Sequence, residues 1–168
     1  MAFAQTALPV YGYSAALEGA QEVPPVATAG RGWGIVRHDT VTNDVRIFVF
    51  HESLSGAPVA AHLHLAALGV NGAVIVPLAA ASANTYTGVA ILSPAQAVAL
   101  GTSGTYLNVH TPANPGGEIR GQVVPSVSTR YTGVLSGAQE VPPVATAATG
   151  TAIAYLHEPE NRVVYMVN

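Results

Sequence analysis

The sequence predicts an all-β fold, an antiparallel Greek-key sandwich or flattened barrel with one short helix, and three observations carry that prediction. Short runs rich in valine, isoleucine, threonine and aromatic residues recur at close, regular intervals. Clusters of Asn, Asp, Gly, Pro and Ser separate them. A single stretch carries both helix start and helix stop signals. With 168 residues, 49% hydrophobic and only 9% charged, the chain can bury a full core, and a disordered chain is excluded.

Taken in order, Leu8 to Leu17 forms a first strand-like run around Val10, Tyr11 and Tyr13. Glu18 to Ala29 follows, and its paired Pro24 and Pro25 exclude helix and central strand, leaving a loop or an extended edge. Strands are then expected over Trp33–Arg37, Val45–His51, Val59–Ala66, Ala73–Leu78, Thr85–Leu92, Thr105–Thr111 and Glu118–Val124. Turn chemistry punctuates them at Thr42-Asn43-Asp44, Val70-Asn71-Gly72, Ser82-Ala83-Asn84 and Asn114-Pro115-Gly116-Gly117. The helix is expected after Ser93, which supplies an N-cap, with Pro94 at the first helical position, good helix formers to Leu100 and Gly101 as terminator.

The chain also repeats itself. Gly19 to Ala29 recurs without change as Gly137 to Ala147, and Leu17, Gly32, Ile35, Asn43, Val45 and Val49 meet identical residues at the same offset of 118. The expected organisation is therefore residues 1–10 as a signal remnant or N-terminal extension, 11–125 as one complete domain, and 126–168 as the start of a second, truncated copy. About a third of a domain cannot bury its own apolar face. It belongs to a longer array, or exchanges strands between molecules. Glu22 and Glu140, each before Val-Pro-Pro, read as structural joints of the repeat.

Composition removes several function classes. All six cations are arginine, the net charge is -3 and the pI is near 6.0, so neither nucleic acid nor anionic membrane is an expected partner. No apolar run is long enough to span a bilayer. Cysteine is absent, which excludes disulfides and thiolate metal sites. What remains is histidine. In a strand, alternate side chains share a face, so His62 and His64 point the same way, about 6.5 Å apart at their Cα atoms. His110 lies in a second apolar run, on the parity of Asn108. Three imidazoles converging from two strands suit copper or zinc, and the residues themselves do not choose between them. Glu118 and Arg120 share a face by period 2 and are expected to pair, or Arg120 to bond Glu52 or carbonyls of the 112–117 loop. His51, on the parity opposite to Phe48 and Phe50, is expected to face solvent.

Taken as a set, Glu22-Val23-Pro24-Pro25-Val26, Ala61-His62-Leu63-His64-Leu65, Gly69-Val70-Asn71-Gly72 and Asn108-Val109-His110-Thr111 with Asn114 to Gln122 resemble the CHRD domain, a family named from chordin. The resemblance covers residues 11 to 125 once and 129 to 168 as the start of a second copy. It implies an extracytoplasmic β-domain, often in tandem, and hence a secreted, periplasmic or cell-surface location.

A second resemblance is to copper-zinc superoxide dismutases, which carry a His-x-His strand, a later Val-His and an arginine beside the copper. By it His62, His64 and His110 are copper ligands, and Arg120 is the catalytic residue that draws in superoxide or another small oxidant. The chain departs from that family in lacking a fourth histidine at its spacing, the His/Asp zinc cluster and the cysteines. The site it implies has three protein ligands or recruits His51. Whether it is enzymatic stays open, and the competing reading is a non-catalytic structural, adhesive or protein-binding repeat.

Overall fold

Each strand of the first unit has an apolar row to bury and backbone groups to pair on both sides, and a closed barrel satisfies both demands. The computed structural model describes residues 10–126, 128–157 and 162–167. The expected signal remnant, residues 1–10, falls almost entirely outside the described residues. The chain divides into two compact units, Met1–Pro125 and Ser126–Asn168. In the first, β1 (Val10–Glu18), β2 (Arg31–Asp39), β3 (Asp44–Glu52), β4 (Ala60–Leu65), β5 (Ala73–Ser82), β6 (Thr85–Ile91), β7 (Thr105–His110) and β8 (Ile119–Gln122) pair in the order 1-2-3-6-5-4-7-8. The ring closes through Glu18 opposite Arg120, and the short β9 (Val124–Ser126) extends that seam along β1. All described pairings are antiparallel, so the all-β expectation with one helix holds.

The inward rows are set by strand parity. Val45, Ile47 and Val49 on β3, Ala61 and Leu63 on β4, Leu107 and Val109 on β7, and Ile119 on β8 are buried in one cluster with Leu17, Val36 and Val76. Gly121 is small by necessity: a Cβ there would lie 2.5 Å from the Ala16 carbonyl oxygen of the closing strand. Helix α1 (Pro94–Gly101) bridges β6 to β7 and buries Leu100. Ser93 and Gln96 form a capping box, and the helix runs through Gly101 to a cap at Thr102, one residue beyond the expected stop. Ser93→Ala is expected to cost about 1 kcal/mol of stability, measurable as a lower midpoint in urea.

Parity corrects one expectation. His51 falls in the inward row with Val45, Ile47 and Val49 and is buried, whereas Phe50 is 37% exposed. The core side of β3 is packed by branched aliphatics, and the larger phenylalanines fit only on the outer wall.

The second unit contains β10 (Ser128–Ser136), β11 (Thr149–His157) and β12 (Arg162–Val167) as an antiparallel sheet in that order. Its register copies the first unit at the sequence offset: Leu17 pairs with Gly32, and Leu135 with Gly150. Both strand connections open on a single 3-10 turn, Gly19–Gln21 and Gly137–Gln139. Coverage differs, since Leu17 is 0% exposed and Leu135 42%.

Candidate metal centre

The outer face of neighbouring strands β4, β7 and β8 carries the polar residues. Register places His62 opposite Asn108, His64 opposite Tyr106, and Ala60 opposite His110, while Asn108 and Tyr106 face Arg120 and Gln122 on the other side. Because the inward positions of these strands are apolar, the polar row is forced outward, where loops cover it.

The structure brings His62, His64 and His110 together: one ring nitrogen from each lies within 4.8 Å of the others. Two of the three rings are anchored from behind. His64 Nδ1 donates to the Gly72 carbonyl at 3.0 Å, and His110 Nδ1 to the Pro115 carbonyl at 3.0 Å. A carbonyl only accepts, so both rings carry their proton on Nδ1 and turn a lone pair on Nε2 toward the cluster. His64 Nε2 is buried and has no hydrogen-bond partner among the described residues. His62 Nδ1 lies 3.0 Å from His110 Nε2 and donates to it, so a proton holds the position where an ion would sit.

The donor set fits a transition metal. Bonds of about 2.0–2.1 Å to an ion require nitrogens about 3.3–3.5 Å apart, so the widest separation must close by roughly 1.5 Å and the His62–His110 pair, at 3.0 Å, open slightly. The ion's identity does not follow from three nitrogens alone. Burial holds the three triad histidines below the usual histidine pKa, reinforced at His62 by His110, and neutral imidazole is the ligating form.

Around the triad, Tyr106 stacks on His64 with centroids 4.6 Å apart and an interplanar angle of 9°. On Tyr106 lies Arg120, its Cζ 3.5 Å from the ring centroid. Arg120 is fully buried and bonds the carbonyls of Ala67 and Val70 and Asn71 Oδ1. Its partners are therefore in the 67–71 loop rather than Glu118, Glu52 or the 112–117 loop, and one aromatic ring separates it from His64. Asn71 in turn donates to the Val23 carbonyl at 2.8 Å, tying that loop to the Val-Pro-Pro segment. His51 sits beside Tyr86 with ring centroids 6.0 Å apart and is not in the cluster.

Two buried carboxyls flank this layer. At Glu118, burial would raise the pKa, but hydrogen bonds from the Ser55, Thr111 and Thr28 hydroxyls and the Ser55 amide outweigh it and hold it at about 2. Glu22 is 5% exposed, and burial raises its pKa to about 7 against the opposing pull of Arg120 and Asn108. Sequence reading missed Tyr106, although it shares a face with His110, and placed Glu22 as a mere joint. An acidic residue within an apolar, proline-bearing segment was the available signal.

A family model for the CHRD domain matches residues 13–123. The chain belongs to the CHRD domain family. The CHRD span holds the whole triad, Arg120, Glu22 and Glu118, and leaves the second unit outside it. No curated protein and no solved structure matches the chain. Among the described residues, no helix of this CHRD protein is long and apolar enough to cross a membrane.

Acidification tests the buried ionisations. His51, His62, His64 and His110 have folded pKa values lowered by burial, so the unfolded chain takes up protons first. Their contribution is complete above the ordinary value of 6.5 and is lost as pH falls through the lowered folded values. Glu22 acts in the opposite sense, its contribution being present below 4.5 and lost as pH rises through about 7. Glu22→Gln removes the opposing contribution, so the metal-free variant is expected to lose more stability to urea than the parent protein as pH falls from about 7 to about 5. Parallel curves over that range would contradict the assignment.

Proposed function

We propose that this CHRD module binds a transition-metal ion through His62, His64 and His110. The observation that carries the reading is the convergence of three neutral ring nitrogens within 4.8 Å, two of them held by carbonyls behind. Copper is favoured over zinc by the ligand order shared with copper-zinc superoxide dismutases, and an ion with an open position would supply one-electron exchange with superoxide or a similar oxidant. In this reading Arg120 is a positioning residue that fixes Tyr106 and, through the 67–71 loop, the Gly72 carbonyl. An extracytoplasmic location, secreted, periplasmic or at the cell surface, goes with it.

Titration of the metal-free protein with Cu(II), followed by spin resonance, tests the site. The expected result is nitrogen hyperfine structure that is lost or altered in His62→Ala and His110→Ala, with affinity reduced at least about 100-fold. A spectrum unchanged by both substitutions would overturn the reading.

A second reading is a non-catalytic repeat that spaces or binds proteins. The observation favouring it is the copied register and turn of the second unit, which supports residues 126–168 as the start of another CHRD module in tandem. A longer chain in which complete copies keep Val-Pro-Pro but lack the triad would favour that reading.

A further inference from the structure

Glu22 poses a problem of charge that its surroundings answer. It enters β7's outer face from the segment after β1, where Asn108 Nδ2 donates to its Oε2 at 3.3 Å. Its other oxygen, Oε1, is buried with no partner, and so is Oδ1 of the same asparagine. The two oxygens and Asn108 Nδ2 border one point, since a Cβ on Gly117 would lie 2.5 Å from each of the three, and Gly117 has φ +133°. An ionised carboxylate here would be a buried anion facing a second acceptor, an arrangement that burial disfavours. Arg120 does not cancel it, because no Glu22 ion pair forms within 4.0 Å among the described residues and the arginine's bonded donors go to Asn71, Ala67 and Val70.

One proton resolves both unpaired acceptors. Placed on Oε1, it is donated to Asn108 Oδ1 while Asn108 Nδ2 donates back to Oε2, giving a reciprocal acid–amide pair. Asn108 lies directly across from His62 and two residues before His110 on the same face, so this pair adjoins the triad. We propose that Glu22 is a proton-holding residue coupled to the metal centre: neutral and paired with Asn108 in the metal-free protein, ionised when a cation enters the triad. On ionisation the Oε1–H bond breaks, its electron pair stays on the carboxylate, and the proton passes to solvent base, so the carboxylate compensates part of the added charge. The titratable and charged groups on the packed elements are Arg120 on β8 with Glu118 just before it, His62 and His64 on β4, and Tyr106 and His110 on β7. The 67–71 loop contributes none. The coupling rests on the metal-binding reading, whereas the neutral pair does not.

The test uses the whole chain carrying 13C at the glutamate carboxyls, with Zn(II) as a diamagnetic probe. In metal-free protein the Glu22 carboxyl is expected to titrate near 7. Zn(II) is expected to move that titration downward by about one pH unit or more. Glu22→Gln, which preserves the neutral pair, is expected to fold and to bind Zn(II) with an affinity up to about tenfold less dependent on each pH unit. A carboxyl already ionised well below pH 7 without metal overturns the pair. Histidine ring signals that move with Zn(II) while the Glu22 carboxyl does not overturn the coupling. If the ring signals themselves stay still, the metal reading fails and the coupling with it, and the metal-free titration alone decides the pair.

Discussion

Glu118→Gln is expected to lower stability by about 3 kcal/mol, since an acceptor that receives only donors gains an amide group with hydrogens of its own. Glu118 is fully buried. Its Oε1 accepts from the Thr28 hydroxyl at 2.6 Å and the Ser55 amide at 2.7 Å, and its Oε2 accepts from the Ser55 hydroxyl and from the Thr111 hydroxyl at 2.7 Å. Whichever way the glutamine amide turns, its nitrogen meets a hydroxyl or an N–H that has lost its acceptor. The variant also changes the acid limb of the stability curve. With a folded pKa of about 2 against 4.5 unfolded, the carboxylate's contribution is complete above 4.5 and is lost as pH falls toward 2. Urea midpoints for the two proteins should therefore converge over that interval. Curves that stay parallel would show that the four donors do not select the ionised form.

Arg120→Met carries the second large effect, again about 3 kcal/mol, with a functional signature beside it. The methionine fills much of the volume, but Asn71 Oδ1 and the Ala67 and Val70 carbonyls lose their donors, and Tyr106 loses the cation on its face. The 67–71 loop that leads to Gly72 then loosens, and Gly72 holds both the His64 ring and the Tyr106 hydroxyl. Metal affinity is expected to fall about 10- to 100-fold, as it does when groups behind a ligand are removed. Arg120→Lys should recover little, because a point charge cannot reach three divergent acceptors. Full metal affinity in a destabilised Arg120→Met protein would confine Arg120 to folding.

Much of this was legible before any coordinates, for reasons that differ by residue. The strands announced themselves by alternation and by turn residues, and His62 and His64 needed only a period of 2 to share a face. His110 was harder, since nothing local says that β4 and β7 are neighbours, yet its apolar flanks marked the same kind of strand. His51 defies its sequence pattern because aromatic bulk does not mark the core side of β3: the closed ring leaves room inside for Val45, Ile47 and Val49, and Phe50 stays outside. The expected pairing of Glu118 with Arg120 also fails: period 2 extends only within a strand, and β8 begins at Ile119, so Glu118 turns to Thr28, Ser55 and Thr111 instead. Glu22 was only half legible: its apolar, proline-bearing segment marked it as unusual, but its environment is made by Asn108 and Gly117, far along the chain.

The second unit's strand order has a material consequence. The strands of the first unit run in a ring that closes through Glu18 and Arg120, whereas in the β10-β11-β12 sheet the two outer strands are each bonded to one neighbour among the described residues. Unused amide and carbonyl groups along such a border are a template for augmentation by a further strand. In concentrated solution, self-association through this sheet should therefore begin at β10 or β12.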